Sequence, residues 1–225
     1  MTATVEISDG VGRIRMDDGK VNALSEKMLV SVLGALEQVE KAKAIAVIEG
    51  RPGIFSAGFD LKTFQVGPEA SAGMVKAEIE TLVKLLSFTM PVVTVCAGHA
   101  YPAGAFFMLC ADVRFGVDGD FRIGLNETAI GMVLPEWALA VARHRLVMPA
   151  QIAVHTGRMY SPKDAVAAGY LDYVLPAADI GRAVDAEIAR LKKLDFKAFA
   201  EVKRRLNKTV IAAIREGAAD TAPIR

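Results

Sequence analysis

The pattern of hydrophobic and polar positions changes from an alternating to a helical period within the first fifty residues. Residues 4–8 and 11–16 alternate around Asp9-Gly10, a dipeptide typical of tight hairpin turns. From Ser25, a suitable helix N-cap, apolar residues recur with helical spacing as far as about Lys41. A short apolar run follows at 44–49. The pattern predicts an antiparallel strand pair, an amphipathic helix and a further strand.

The middle of the chain continues this order of strands and helices. Apolar strands are predicted at 92–95 and 113–117, an amphipathic helix at 74–88, and between the strands a helix at 103–110 that is apolar on every side. Such a helix is expected to be buried. The segment 51–73 is glycine-containing, then polar and irregular, which predicts a mobile loop. Strands alternating with helices of this length indicate βαβ units with right-handed crossovers.

The last third of the sequence is mainly helical in pattern. The predicted elements are short helices at 137–146 and 149–156, a helix from Ser161-Pro162 to Gly169, a strand at 171–174, and helices at 180–194 and 196–216. The last two are charged and favour a lid or an oligomer-forming arm over core. We therefore expect an α/β core at 1–180 and a C-terminal helical lid or oligomerisation region at 181–225.

Composition and charge exclude several classes of protein. The 225 residues are 52% hydrophobic and carry a formal net charge of +1, which gives no electrostatic reason to expect nucleic acid or an acidic membrane as a partner. Cys96 and Cys110 lie in apolar runs and are interpreted as packing residues. No secretory signal and no run of about 18 apolar residues is found, so we expect a cytoplasmic protein without a membrane span.

The stretch 96–136 holds the candidate chemistry. An apolar strand breaks at small residues around Gly98 and restarts at Ala103 as the buried helix. The first amides of a helix are unpaired and carry the positive end of its dipole, which suits a developing oxyanion. A carboxylate from 123–127 would reach the same crevice beyond the strand ends. On spacing alone, ordinary tight turns remain an alternative.

Three motifs resemble the successive signatures of the crotonase, or enoyl-CoA hydratase/isomerase, superfamily. They are Phe55-Ser56-Ala57-Gly58-Phe59-Asp60-Leu61, the segment from Gly98 to Gly104 with Cys110-Ala111-Asp112 after it, and Ile123-Gly124-Leu125-Asn126-Glu127. The resemblance covers about residues 5–210. It implies an α/β, crotonase-like (ClpP/crotonase) spiral of ββα units with a C-terminal helical region. It also implies an acyl-CoA or enoyl-CoA substrate, a homotrimer or a hexamer formed by two trimers, and neither metal nor redox cofactor, CoA being part of the substrate.

The resemblance also assigns binding roles to individual residues. The oxyanion-hole amides fall at Phe59 and Ala103. The residues expected to contact the substrate or its CoA are Ala23, Leu24, Ala57, Gly58, Asp60, Leu61, Gly104, Phe106 and Trp137. A basic set in the C-terminal helices either meets the CoA phosphates or forms a solvated face: Lys192, Lys193, Lys203, Arg204 and Arg205.

The carboxylates favour one reaction within the family. Many hydratases of this family carry two glutamates; this chain has Phe106 at the first position and Glu127 at the second. One carboxylate suffices to move a proton from the α- to the γ-carbon of a thioester, which favours a Δ3-Δ2-enoyl-CoA isomerase. Glu136 is a second candidate acid, or else an exposed glutamate at a helix N-terminus.

Other functions stay open at this point. They are hydration of 2-enoyl-CoA and non-catalytic binding of acyl-CoA. A serine hydrolase is disfavoured because Pro102-Ala103-Gly104-Ala105 offers no nucleophile. The three histidines are scattered; His99, in the turn, is interpreted as structural, and none has metal-pair spacing.

Overall fold

Two β-sheets form the framework of the computed structural model, which describes residues 2–218. In chain order the strands are β1 (Ala3–Ser8), β2 (Val11–Met16), β3 (Ile45–Glu49), β4 (Gly53–Ser56), β5 (Val92–Cys96), β6 (Gly98–Ala100), β7 (Val113–Val117), β8 (Ile123–Gly124), β9 (Met159–Tyr160) and β10 (Tyr173–Leu175). The larger sheet has the order β1-β2-β3-β5-β7-β10 and is parallel except for the β1–β2 pair. The predicted hairpin and parallel sheet are confirmed.

The smaller sheet has the order β4-β6-β8-β9, with β4, β6 and β8 parallel and β9 antiparallel to β8. Its strands alternate along the chain with those of the larger sheet: β3 is followed by β4, β5 by β6 and β7 by β8, and each pair leads into a helix. This is the predicted spiral of ββα units. The sequence pattern did not show the second sheet, because its strands have only two to four residues and are too short for a periodicity.

Helices cover both faces of the larger sheet. The α-helices are α1 (Glu26–Lys41), α2 (Leu61–Val66), α3 (Pro68–Ser87), α4 (Pro102–Leu109), α5 (Glu136–Arg145), α6 (Met148–Ala153), α7 (Pro162–Ala168), α8 (Ala177–Leu191) and α9 (Phe196–Gly217). Short 3-10 helices occupy Glu127–Ile130 and Val154–Thr156. Ser25 caps α1 by accepting from the Met28 amide, as predicted.

The segment 51–73 differs from its prediction as an irregular, mobile loop. It contains β4, α2 and the first turn of α3, with Gly67 (φ +147°) between the two helices and Pro68 at the first position of α3. The Asp60 carboxylate caps α2 by accepting from the Lys62 amide. Because no residue of α2 is buried, the helix leaves no apolar stripe in the sequence.

Helix α4 lies in the centre of the main core, as its apolar sequence predicts. All of its residues from Ala103 to Leu109 are buried. A Cβ atom at Gly104 would collide with the side chain of Ser56 in β4. Glycine at this position therefore lets the helix pack directly on the smaller sheet, which fixes the start of α4 relative to the end of β4.

The C-terminal helices contribute to the core, although their sequence favoured a lid or arm. In α8, Val184, Ile188 and Leu191 pack on one face of the larger sheet, while Val210 and Ile214 of α9 join the main core on the other. The expected boundary between residues 180 and 181 falls inside α8. The division into core and C-terminal region stays a prediction, and Met1 and residues 219–225 lie outside the described part of the chain.

Between residues 2 and 218, no helix combines the length and the apolar character that crossing a membrane requires.

Candidate active site

Three neighbouring strands of the smaller sheet lead directly into the predicted site residues. Phe59 follows β4, Ala103 follows β6, and Glu127 follows β8. These strands are adjacent and parallel, in the order β4-β6-β8. The carboxyl ends of adjacent parallel strands meet at one edge of a sheet, so the topology brings three segments that are distant in sequence to one place.

The turn at Phe59 is held open by backbone hydrogen bonds on either side of that residue. The Leu24 amide donates to the Gly58 carbonyl (2.8 Å), and the Asp60 amide donates to the Leu24 carbonyl (3.3 Å). Gly58 has φ +83°, a conformation that favours glycine. In this parallel bridge the N–H of Phe59 points away from Leu24, and it has no acceptor within residues 2–218.

The amide of Ala103 is a second donor close to the first. It is the second residue of α4, after Pro102, and also has no acceptor within the described chain. A Cβ atom at Gly58 would lie 3.7 Å from the nitrogen of Ala103, so the two turns approach each other closely. The Ala103 donor lies at the positive end of the α4 dipole, and the Phe59 turn lies next to it, an arrangement suited to negative charge on a ligand oxygen.

A cavity of about 270 Å³ lies beside these turns. Its lining is apolar except for Tyr101, Asn126 and Glu127. The lining residues are Ala57, Gly58, Phe59, Leu61, Tyr101, Pro102, Phe106, Asn126, Glu127, Ile130, Met132, Val133, Pro135, Trp137 and Ala138. Such a lining, with few polar groups, is typical of small-molecule sites.

Glu127 is the one carboxylate among the described residues that lines this cavity. Its residue is 8% exposed, and its Oε2 atom has no hydrogen-bond partner in the described structure. Burial raises the pKa of the carboxyl to about 7, against a small opposing effect of its own backbone amide. A carboxyl that gains and loses a proton near neutral pH is suited to general acid–base catalysis.

Phe106 and Trp137 form an aromatic pair in the cavity wall. Their ring centroids are 5.6 Å apart, with an angle of 59° between the planes. Phe106 comes from the second turn of α4 and Trp137 from the first turn of α5. Within this pair, Phe106 is the residue that the resemblance places where two-glutamate hydratases carry their first acid.

The structure does not bring Glu136 to the cavity. Its side chain is 59% exposed and pairs with Arg143 (3.2 Å) on the next turns of α5. This is the alternative placement expected from the sequence, an exposed glutamate at a helix N-terminus, where the helix dipole favours a negative charge. The catalytic role considered for Glu136 stays a prediction, and this placement does not favour it.

Five of the nine predicted contact residues line the cavity: Ala57, Gly58, Leu61, Phe106 and Trp137. The other four have different surroundings. Leu24 is buried and supports the Phe59 turn, Asp60 caps α2, and Gly104 packs on Ser56. Ala23 donates its amide to Asp18.

Two polar residues outside the cavity, His99 and Lys203, have structural partners. The His99 ring accepts from the Arg122 amide (3.0 Å), in line with its structural interpretation. Lys203 does not belong to a solvated face: it is 5% exposed and bonds Asp112 (2.6 Å). Within residues 2–218, no three His, Cys, Asp or Glu side chains form a group able to hold a metal ion. The expectation of a reaction without a metal cofactor stays a prediction.

Eight lining residues were missing from the sequence-based site: Tyr101, Pro102, Asn126, Ile130, Met132, Val133, Pro135 and Ala138. The segment 130–135 carried a usable signal, since it places large apolar residues in an irregular stretch. Ile130 and Val133 are 48% and 67% exposed at the cavity. Exposed apolar residues grouped in this way are typical of ligand-binding grooves and other interaction surfaces.

The chain belongs to the enoyl-CoA hydratase/isomerase family, whose model matches residues 6–221. It is 30% identical to the human mitochondrial enoyl-CoA delta isomerase 1 over 80% of this chain and 62% of the human protein. The chain therefore spans about three fifths of that relative's length. The predicted superfamily is confirmed.

Solved structures agree with this assignment. An enoyl-CoA hydratase/isomerase family protein from Pseudomonas syringae is 36% identical, with a TM-score of 0.94 over 96% of this chain and 95% of that one. An enoyl-CoA hydratase from Mycobacterium marinum is 30% identical, with a TM-score of 0.92 over 97% of both chains. Relatives named isomerase and relatives named hydratase are thus similar to this chain, and the predicted fold is confirmed.

Proposed function

We propose that this protein is an enzyme that shifts the double bond of an enoyl-CoA from the Δ3 to the Δ2 position. The amides of Phe59 and Ala103 hold the thioester oxygen. Glu127 removes a proton from the α-carbon, the electrons move onto that oxygen as an enolate, and Glu127 returns the proton to the γ-carbon. The double bond then lies next to the carbonyl, and atoms and charge balance without a co-reactant. Donors of this kind typically contribute about 3–4 kcal/mol to transition-state stabilisation.

The observation that carries this proposal is the isolation of Glu127 in its apolar cavity. Its Oε2 atom is buried without a partner, and its carboxyl has a pKa of about 7. Such a group both accepts and donates a proton at neutral pH, as a 1,3-proton shift requires. Phe106 lines the same cavity and places an apolar ring where two-glutamate hydratases are expected to carry their first acid.

Hydration of a 2-enoyl-CoA is the second candidate, because some relatives are named hydratases. Adding water requires a positioned water molecule and a group that activates it. In this chain the other nearby acid, Glu136, is exposed and paired with Arg143, which argues against that reaction. A family member that binds acyl-CoA without turnover is the remaining alternative.

The test compares two substrates of the same chain length. With 3-hexenoyl-CoA we expect the absorbance of the conjugated thioester to rise. With 2-hexenoyl-CoA we expect that absorbance to persist, since the conjugated isomer is already the product. Loss of absorbance from 2-hexenoyl-CoA would instead identify a hydratase. Tight binding of both compounds with no change in either would identify a non-catalytic binding protein.

Three further properties belong to the proposal. The protein works in the cytoplasm as a homotrimer or a pair of trimers, and it uses neither metal nor redox cofactor, since CoA enters as part of the substrate. Light scattering coupled to size-exclusion chromatography tests the assembly, and activity after exhaustive chelation tests the metal independence. A monomer in solution or loss of activity on chelation contradicts the respective expectation.

A further inference from the structure

The wall formed by Phe106 and Trp137 lies deep in the protein. Both side chains are buried, yet both line the cavity, so they close it from the side of the core. Ala138, the next residue of α5, is buried beside them. A ligand that enters from the exposed rim at Ile130 and Val133 therefore meets an aromatic wall rather than a channel.

The wall is backed by the last turn of helix α9. A Cβ atom at Gly217 would lie 2.6 Å from the nitrogen of Trp137 and 3.0 Å from the carbonyl carbon of Glu136. These are backbone atoms, which cannot move aside as a flexible side chain does. Val210 and Ile214 anchor the same helix in the main core. The backbone at Trp137 therefore has no room to move toward α9.

The volume in front of the wall limits what it admits. A cavity of about 270 Å³ holds roughly nine groups of the size of a water molecule or methylene, at about 30 Å³ each. Part of that space belongs to the thioester and the adjoining end of the pantetheine. The thioester sulfur, its carbonyl oxygen and the first pantetheine methylene take about three of these places, so about six acyl carbons remain. The lining offers no cation to a second carboxylate on the chain.

We infer that the Phe106–Trp137 wall, positioned from behind by Gly217, limits the substrate to short and medium uncharged acyl chains. Gly217 is in this respect a positioning residue: it touches no substrate and acts through the backbone of Trp137. The inference rests on the proposed function for the identity of the ligand as an acyl-CoA. It adds which residues determine the length of the acyl chain.

The experiment measures binding, so that it gives a result even if the protein has no activity. Saturated acyl-CoAs from butanoyl to dodecanoyl are titrated into the whole protein by calorimetry. Each added methylene that finds apolar surroundings raises the affinity about fourfold. We expect this gain up to about hexanoyl-CoA and a plateau or decline beyond it. Turnover of the matching 3-enoyl-CoAs then tests the function separately.

Substitutions test the wall itself. Phe106→Leu and Trp137→Leu are expected to move the plateau to longer chains, and Gly217→Ala to shorter ones. Phe107→Leu is the matched control for the aromatic residues, because Phe107 is equally buried in α4 but does not line the cavity. Gly34→Ala is the control for the glycine, because a Cβ atom there meets nothing within 4 Å. Neither control is expected to move the plateau.

Two results would overturn the inference. One is an affinity that keeps rising through dodecanoyl-CoA in the unmodified protein. The other is a chain-length profile that stays the same in both leucine variants, each verified as folded by its thermal unfolding. An unshifted profile in Gly217→Ala alone would remove the role of Gly217, since it would show that α9 yields instead of α5. Absence of turnover with the expected binding profile would reject the proposed function and leave the wall in place.

Discussion

The two ends of helix α4 have opposite surroundings. At its start, the amide of Ala103 has no acceptor within residues 2–218 and lies by an apolar cavity with the unpaired Glu127. At its end, the protein supplies cations: Arg145 donates to the Ala111 carbonyl (2.5 Å), and Lys203 bonds Asp112 (2.6 Å). The positive end of the dipole is thus left for a ligand, while two cations of the protein lie near the negative end.

Two buried glutamates sharpen this contrast. Glu127 and Glu78 both have carboxylate oxygens without partners, and burial raises the pKa of both. Glu127 lines the cavity, whereas Glu78 lies in α3, outside the cavity lining and fully buried. An unsatisfied buried acid is therefore not sufficient evidence of a site. What distinguishes Glu127 is its access to a space that a ligand can occupy.

The largest effect is expected in the cavity at the start of α4. Glu127→Gln keeps the shape of the side chain but cannot accept a proton, so we expect kcat on a 3-enoyl-CoA to fall about 10²- to 10⁴-fold. The affinity for a saturated acyl-CoA should change little. Glu136→Gln is the matched control and should retain kcat, because its side chain lies outside the cavity. Unchanged turnover in Glu127→Gln would show that Glu127 is not the group that moves the proton.

At the other end of α4, a substitution is expected to reduce stability rather than activity. Asp112→Asn leaves the ammonium of Lys203 buried without its carboxylate, so we expect the free energy of unfolding to fall by about 3–5 kcal/mol. The change is measured by urea denaturation. Adding Lys203→Met to this variant should recover part of the loss, because the buried charge is then removed. If Asp112→Asn were as stable as the unmodified protein, the Asp112–Lys203 pair would not contribute to stability.

The pKa of Glu127 gives opposite pH dependences for activity and stability. The Glu127 carboxyl has a pKa of about 7 in the folded protein and of 4.5 in the unfolded chain. Between these pH values the folded protein therefore keeps a proton that the unfolded chain has lost. Activity should therefore rise through about pH 7, as the base becomes ionised. Stability should fall from about pH 4.5 to 7, by about 3 kcal/mol, since only the unfolded state ionises freely there.

The Glu127→Gln variant is the control for this effect of pH on stability. Denaturation of the unmodified protein and of Glu127→Gln is compared at pH 4.5 and pH 7. We expect the variant to gain stability relative to the unmodified protein as the pH rises. Identical pH dependences of the two proteins would show that the Glu127 carboxyl is not held in its neutral form by burial.

The smallest effect on activity is expected at Glu78. Because burial alone raises the pKa of this carboxyl, its contribution to stability declines as the pH rises above the ordinary range of a glutamate. Glu78→Gln should therefore stabilise the protein at pH 7, with kcat unchanged. Thermal unfolding and turnover are the measurements. A large loss of kcat would place Glu78 with Glu127 and remove the distinction between them.

Much of the fold could be predicted from local pattern. The hairpin at Asp9-Gly10, the Ser25-capped helix and the all-apolar α4 were predicted within a few residues of their observed bounds. Each depends on neighbours in sequence: a turn dipeptide, a cap or a periodicity. The prediction of an irregular loop at 51–73 was wrong, because β4 is defined only by its pairing with β6 and α2 buries no residue.

The same division applies to the site. The motifs around Phe59, Ala103 and Glu127 were evident from the sequence, and the family they indicated is confirmed. Glu136 had an equally plausible sequence context, since Trp137 beside it is apolar. Its side chain turns to solvent and Arg143, which depends on the direction of α5 relative to the cavity. The burial of Lys203 in a charged C-terminal helix was likewise invisible.

The sequence by itself determined the family, the parallel sheet and the three segments that carry the candidate chemistry. Those features follow from residue type and short-range spacing, both of which are visible in the sequence. Only the tertiary structure decided that β4, β6 and β8 are neighbours, that Glu127 is buried without a partner, and that Gly217 packs behind Trp137. These facts depend on contacts between residues far apart in sequence, and burial and pKa exist only once such contacts form.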